Sequence, residues 1–130
     1  MKSVGQSIIS KTLVAFLMVI NLAAFPKTSW SHAFPDHAEP RVGATLNVAP
    51  TRVRIWFDSA LEPAFSTITI RNSKNEEVDK RDGHVNPSDP TLLEVNVPPL
   101  PDGAYRVLWN VVARDGHRTE GDYTFAIKVR

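Results

Sequence analysis

The chain has 130 residues, with 15 Lys and Arg against 14 Asp and Glu, 42% hydrophobic residues and no cysteine. So even a charge balance leaves no basic field to attract nucleic acid or an anionic membrane surface. The missing cysteine excludes a disulfide framework and any thiolate metal site.

The first element in chain order is a targeting segment. Lys2 and Lys11 make a positive leader, and residues 13–25 form an apolar run broken only by Asn21. That run is too short to span a bilayer, which takes about 20 apolar residues, and it has the length of a signal-peptide core. Pro26 and Lys27 end it, and Ser29 and Ser31 place small side chains at −3 and −1 of a cleavage site. Residues 1–31 are therefore read as a removed signal peptide and 32–130 as the mature domain, with His32 at its N-terminus. Lys2, Lys11 and Lys27 leave with the leader, so 12 basic residues remain against 14 acidic ones, a net charge of −2. The 99 residues left suit one domain with one core, and no second apolar span follows that would insert in a membrane.

Within 32–130 the dominant signal is alternation with a period of two, the mark of half-buried strands. Residues 42–48 are expected to form a first, edge strand. Val53, Ile55 and Phe57 then alternate with Arg52, Arg54 and Trp56, and Ile68 and Ile70 with Thr67, Thr69 and Arg71. A short strand is expected at 76–80, and 81–89, rich in Asp, Gly, Asn and Pro, reads as a loop. Leu93, Val95 and Val97 alternate with Glu94 and Asn96. Tyr105, Val107, Trp109, Val111 and Ala113 make one face of a long strand, and Tyr123, Phe125, Ile127 and Val129 one face of the last. Turn residues such as Ala49-Pro50, Glu62-Pro63 and Glu120-Gly121 separate the runs. Ten prolines and no sustained helical period argue against helices. About seven short strands at this spacing predict an all-β, immunoglobulin-like sandwich of two antiparallel sheets. Trp109 is expected in the core and Trp56, on the polar phase, partly exposed. The approach to Tyr105 through Leu100-Pro101-Asp102-Gly103-Ala104 has the form of a tyrosine corner.

The chemistry gathers at the two ends of this domain. An N-terminal histidine offers one metal ion two nitrogens, its α-amine and its imidazole. Asp115-Gly116-His117 adds a carboxylate and a second imidazole. On a strand, residues i and i+2 face the same side, and Gly116 leaves room between them. Three nitrogens and one oxygen form a tetragonal set that suits Cu(II), which also heads the Irving–Williams order, whereas Zn(II) prefers a tetrahedron. The expected metal ligands are His32, Asp115 and His117, holding one Cu(II) per mature chain. The triplet alone is a weak signal: Asp82-Gly83-His84 repeats it in the expected loop, where it reads as a turn. His37 reads as surface or edge packing close in sequence to the site.

These residues, in their order, resemble the CopC family of periplasmic copper-binding proteins over all of 32–130. The matching stretches are His32-Ala33, Glu39-Pro40-Arg41-Val42-Gly43-Ala44, Ala49-Pro50 before Val53, Glu62-Pro63 and Phe65-Ser66. Gly103-Ala104-Tyr105-Arg106-Val107-Leu108-Trp109, the Asp115-Gly116-His117 triplet and Gly121-Asp122-Tyr123-Thr124-Phe125 complete the series. The resemblance implies a Greek-key sandwich, a periplasmic location and Cu(II) held by His32, Asp115 and His117. Some members add a Cu(I) site from a methionine-rich loop and a histidine. Met1 and Met18 are the only methionines here, and both fall in the leader, so the chain resembles the Cu(II)-only branch. Such a protein is expected to be a copper carrier or buffer in copper homeostasis and resistance, not an enzyme, and to pass copper to a CopD-type membrane transporter. Two other classes remain open. A terminal histidine with a second histidine also makes the copper brace of oxidative polysaccharide-cleaving enzymes, although Asp115 would fill the equatorial position that oxygen chemistry needs open. A metal-free immunoglobulin-like interaction module would leave His32 and the triplet as exposed polar residues.

Overall fold

The computed structural model describes residues 32–130. The leader assigned to 1–31 and its cut after Ser31 lie outside the described residues. Eight strands form: β1 Pro35–Glu39, β2 Thr45–Leu46, β3 Arg52–Phe57, β4 Thr67–Asn72, β5 His84–Val85, β6 Leu92–Asn96, β7 Gly103–Val112 and β8 Arg118–Ile127. A single 3-10 turn, Pro63–Phe65, interrupts them. One sheet has the order β1-β3-β6-β5 and the other β2-β8-β7-β4. Strands cross from one sheet to the other along the chain, which produces the two-layer sandwich expected. All ladders are antiparallel except β2 against β8.

The alternation read from the sequence is the burial pattern of the fold, except at Val129, which lies beyond the end of the last strand and is exposed. Val53, Ile55 and Phe57 of β3 and Leu93 and Val95 of β6 face Ile68 and Ile70 of β4, Val107 and Val111 of β7, and Phe125 and Ile127 of β8, all nearly fully buried. Each such side chain contributes about 1.5–3 kcal/mol by leaving water, and with no cysteine in the chain this packing holds the two sheets together. The Tyr105 hydroxyl donates to the Pro101 carbonyl at 2.6 Å, closing the expected corner. Trp109 is half-buried against this core, its ring edge-to-face with Phe57 at 5.3 Å. Its indole lies over Gly121, where a Cβ would stand 2.6 Å from the ring. Glu120 and Gly121 are thus interior positions of β8 and not a turn; the glycine is there to admit the tryptophan.

Four expected boundaries move. The edge strand expected at 42–48 contracts to β2, because a turn closed by Ala44 N–H on the Arg41 carbonyl occupies the residues before it. The true edge strand of the other sheet is β1, in which Ala38 alone is buried; with one inward apolar residue it carries no alternation to read. Residues 76–80 do not form a strand. Asp79 accepts the Ile70 N–H at 2.8 Å with its side chain, replacing a ladder bond, and only an isolated bridge joins Arg71 to Glu77. The expected loop 81–89 holds the two-residue β5, and β8 starts five residues before its apolar phase becomes visible, at Arg118.

On the outer face of the first sheet, His37 stacks on Trp56 with centroids 4.4 Å apart and planes at 10°. The Arg54 guanidinium lies 5.1 Å from the same ring. Trp56 is half-exposed, as its phase predicts.

Candidate metal centre

β7 and β8 are joined by a tight turn. Gly116 N–H donates to the Ala113 carbonyl at 2.8 Å, and Ala113 N–H to the His117 carbonyl at 2.9 Å. Asp115 and His117 sit on this turn and not on a strand, so it is turn geometry that brings them together. The Asp115 Oδ1 accepts the His117 backbone N–H at 3.0 Å, the aspartate-turn bond that favours this residue type there. Its Oδ2 lies 3.1 Å from His117 Nδ1. Gly116 has φ +91°, with no atom within 4 Å of where a Cβ would stand. The glycine is required for its backbone angle and not for room. The backbone hydrogen bond from His117 holds the Asp115 carboxyl below the usual carboxylate range, helped by the His117 side chain and by the charges of His117 and His32. Asp115 is therefore a carboxylate that favours its charged form.

The other end of the domain is strapped to the same place. Ala33 is wholly buried, and its carbonyl accepts the Thr119 hydroxyl at 2.6 Å. Phe34 N–H donates to the Asp58 carboxylate at 2.8 Å, and Asp58 N–H returns a bond to the Phe34 carbonyl at 2.9 Å. These bonds tie the entering chain to both sheets, since Thr119 is on β8 and Asp58 follows β3 directly. They set the His32 ring against the His117 ring, with centroids 4.8 Å apart and planes at 61°. The exposed Phe34 ring stands beside it, 5.9 Å from His32.

All three expected ligand residues thus meet at one end of the sandwich. Among the described residues, no group of three or more His, Asp and Glu side chains stands as a ready ligand set. Asp115 is turned onto His117, and the two imidazoles meet edge to face. A metal ion held here would take its donors from His32, Asp115 and His117, and the Asp115–His117 contact would give way to it. The donors are nitrogen and carboxylate oxygen, which suit a borderline divalent ion.

The other two histidines stand elsewhere. His37 is on β1, its Nδ1 2.8 Å from Asp36, stacked on Trp56. His84 is on β5, at the far edge of that sheet from β1, and pairs with strand β6 where a turn was expected. Its Nδ1 lies 2.8 Å from the Asp82 carbonyl and its Nε2 3.2 Å from the nearly buried Glu94. Asp58 and Thr119 went unread in the sequence. Asp58 ends the alternating run of β3, and Thr119 follows the triplet by two residues, but their partners are far away in the chain.

A family model described as the CopC domain matches residues 36–128. Protein YobA of Escherichia coli (strain K12) is 32% identical over 123 residues, covering 92% of this chain and 97% of YobA. Copper transport protein CutJ of Bacillus subtilis (strain 168) is 31% identical over 112 residues, covering 85% of this chain and 21% of CutJ. The crystal structure of CopC from Methylosinus trichosporium OB3b superposes with a TM-score of 0.68 at 30% identity, covering 76% of this chain and 96% of that one.

Proposed function

The chain belongs to the CopC family, and from that premise we propose that it is a periplasmic Cu(II)-binding protein, a carrier or buffer in copper homeostasis and resistance. The observation that carries this reading is the meeting of His32, Asp115 and His117 at the β7–β8 turn. After removal of 1–31, His32 supplies its α-amine and imidazole, His117 a second imidazole and Asp115 a carboxylate, for one Cu(II) per chain. The names of relatives, copper transport protein CutJ and copper resistance protein C, support copper as the cargo. With no Met or Cys in 32–130, the chain has no soft donors of the kind Cu(I) favours.

Binding, not catalysis, is the proposed role, because Asp115 as a ligand would occupy a position that oxygen activation needs open. Delivery to a CopD-like membrane copper transporter is the proposed fate of the metal. The matching region makes up 21% of CutJ, so the same domain also occurs joined to a much longer remainder in a protein named for copper transport. No helix among the described residues is long and apolar enough to cross a membrane, in keeping with a carrier that meets its transporter from outside the bilayer. The test is competition titration of protein beginning at His32 with both copper oxidation states, followed by electron paramagnetic resonance. One tetragonal Cu(II) signal with nitrogen couplings is expected. Two equivalent sites, or tighter hold on Cu(I) than on Cu(II), would reject the reading.

A further inference from the structure

We propose that Thr119 is a positioning residue for the metal centre: by holding the Ala33 carbonyl, its hydroxyl sets how the mature N-terminus presents its two nitrogens. This rests on the Cu(II) reading above. A chain terminus is ordinarily the most mobile part of a domain, and a ligand that must be ordered on binding loses affinity to that ordering. Here the residue next to the proposed ligand is held by burial and through its carbonyl. The Ala33 methyl is wholly buried. Its carbonyl takes the 2.6 Å bond from Thr119, and the following N–H is held by Asp58.

Thr119 is also well placed to fix the spacing between ligands. It stands on β8 two residues beyond His117 and opposite Val111 of β7. One short stretch of chain, the end of the turn and the start of β8, therefore carries both the proposed ligand His117 and the anchor for His32. The anchor spans 86 positions in sequence, so no local structure at the N-terminus could substitute for it. A hydroxyl bonded to a main-chain carbonyl acts on the backbone directly. The wholly buried Ala33 methyl keeps that carbonyl in register with Thr119.

The experiment uses protein beginning at His32, carrying Thr119→Val, Thr119→Ser or His117→Ala, with Cu(II) competition, paramagnetic resonance and thermal unfolding of the copper-free form. Thr119→Val should weaken Cu(II) by about tenfold or more, the range for residues that orient metal ligands, and alter the nitrogen couplings. Thr119→Ser, which keeps the hydroxyl, should restore both. In protein retaining Ser31 ahead of His32 the amine becomes an amide and only the imidazole is left to position, so the Thr119→Val effect on copper should shrink. Thr119→Ala removes the hydroxyl without a second methyl and carries the same test should the valine variant not fold. Parental affinity and couplings in Thr119→Val, or an equal loss with Ser31 retained, overturn the proposal. Full affinity in His117→Ala instead sinks the metal reading beneath it.

Discussion

Replacing Gly116 by alanine tests whether the β7–β8 turn is what assembles the metal centre. Gly116 has φ +91° and Gly43 has φ +72°, and neither would bring a Cβ within 4 Å of another atom. At both positions the cost of alanine is therefore one of backbone angle alone, about 1–2 kcal/mol for an L-residue forced into a left-handed conformation. A domain of this size loses about 4–8 °C of melting temperature per kcal/mol, so each variant should melt about 4–16 °C lower. The two differ in what the strain disturbs. Around Gly116 it is relieved by rotating the peptides that hold Asp115 Oδ1 on the His117 N–H, at 3.0 Å. Gly43 lies in the turn after residue 41, with its N–H on the Thr124 carbonyl and no metal ligand nearby. Gly116→Ala should thus lose Cu(II) affinity by about tenfold or more, as when other groups that orient ligands are removed, while Gly43→Ala keeps it. Copper-free melting followed by circular dichroism, with Cu(II) competition on the same samples, separates the two effects. Equal destabilisation of both variants with parental copper binding in Gly116→Ala would refute the reasoning.

His117→Ala should lose most Cu(II) affinity and His84→Ala none, although both histidines follow Asp-Gly; loss in the second variant alone would assign the metal to the wrong triplet. Asp115→Ala should also weaken binding, by removing the only proposed oxygen donor. Adding even one residue before His32 removes the amine, so a competition titration on such protein should show a severe loss, and unchanged affinity would mean the amine takes no part. For acid stability the sign follows from carboxyls held below 3.8: Asp82 by Asn96, Asp89 by Thr91, Asp115 by the His117 backbone and Asp122 by Arg106. A depressed carboxyl contributes stability that is complete above its unfolded value and drains as pH falls below it. The copper-free domain should keep a level melting temperature from neutrality down to about pH 4 and lose it below. Copper should leave earlier, because imidazole and amine must shed protons to bind it. A copper-free melting temperature already falling near about pH 6 would contradict this assignment.

Strands whose inner faces are apolar were legible in the sequence, because burial imposes a period of two on them. Val53, Ile55 and Phe57, or Tyr105, Val107 and Val111, could hardly be read otherwise, and the bond from Tyr105 to Pro101 follows from the residues that lead into it. β1 was not legible, since Pro35–Glu39 turns a single alanine inward and is held by backbone pairing to β3. At 76–80 the pattern misled, because Asp79 takes the Ile70 N–H with its side chain, a choice no periodicity records. The proposed ligands His32, Asp115 and His117 were singled out by donor chemistry, and the fold brings them to one end of the sandwich. The turn that carries two of them was mistaken for strand, because spacing of two fits both geometries. Asp58 and Thr119 escaped altogether: each touches the N-terminal segment across the fold, and a hydroxyl or carboxylate bonded to a distant main chain leaves no mark in local sequence.

The most direct test of the account is the intact mass of the exported protein, measured under native conditions with and without Cu(II). The account predicts a chain beginning at His32 that gains the mass of one copper ion. An exported chain beginning at any other residue, or one beginning at His32 that takes up no copper, would contradict it.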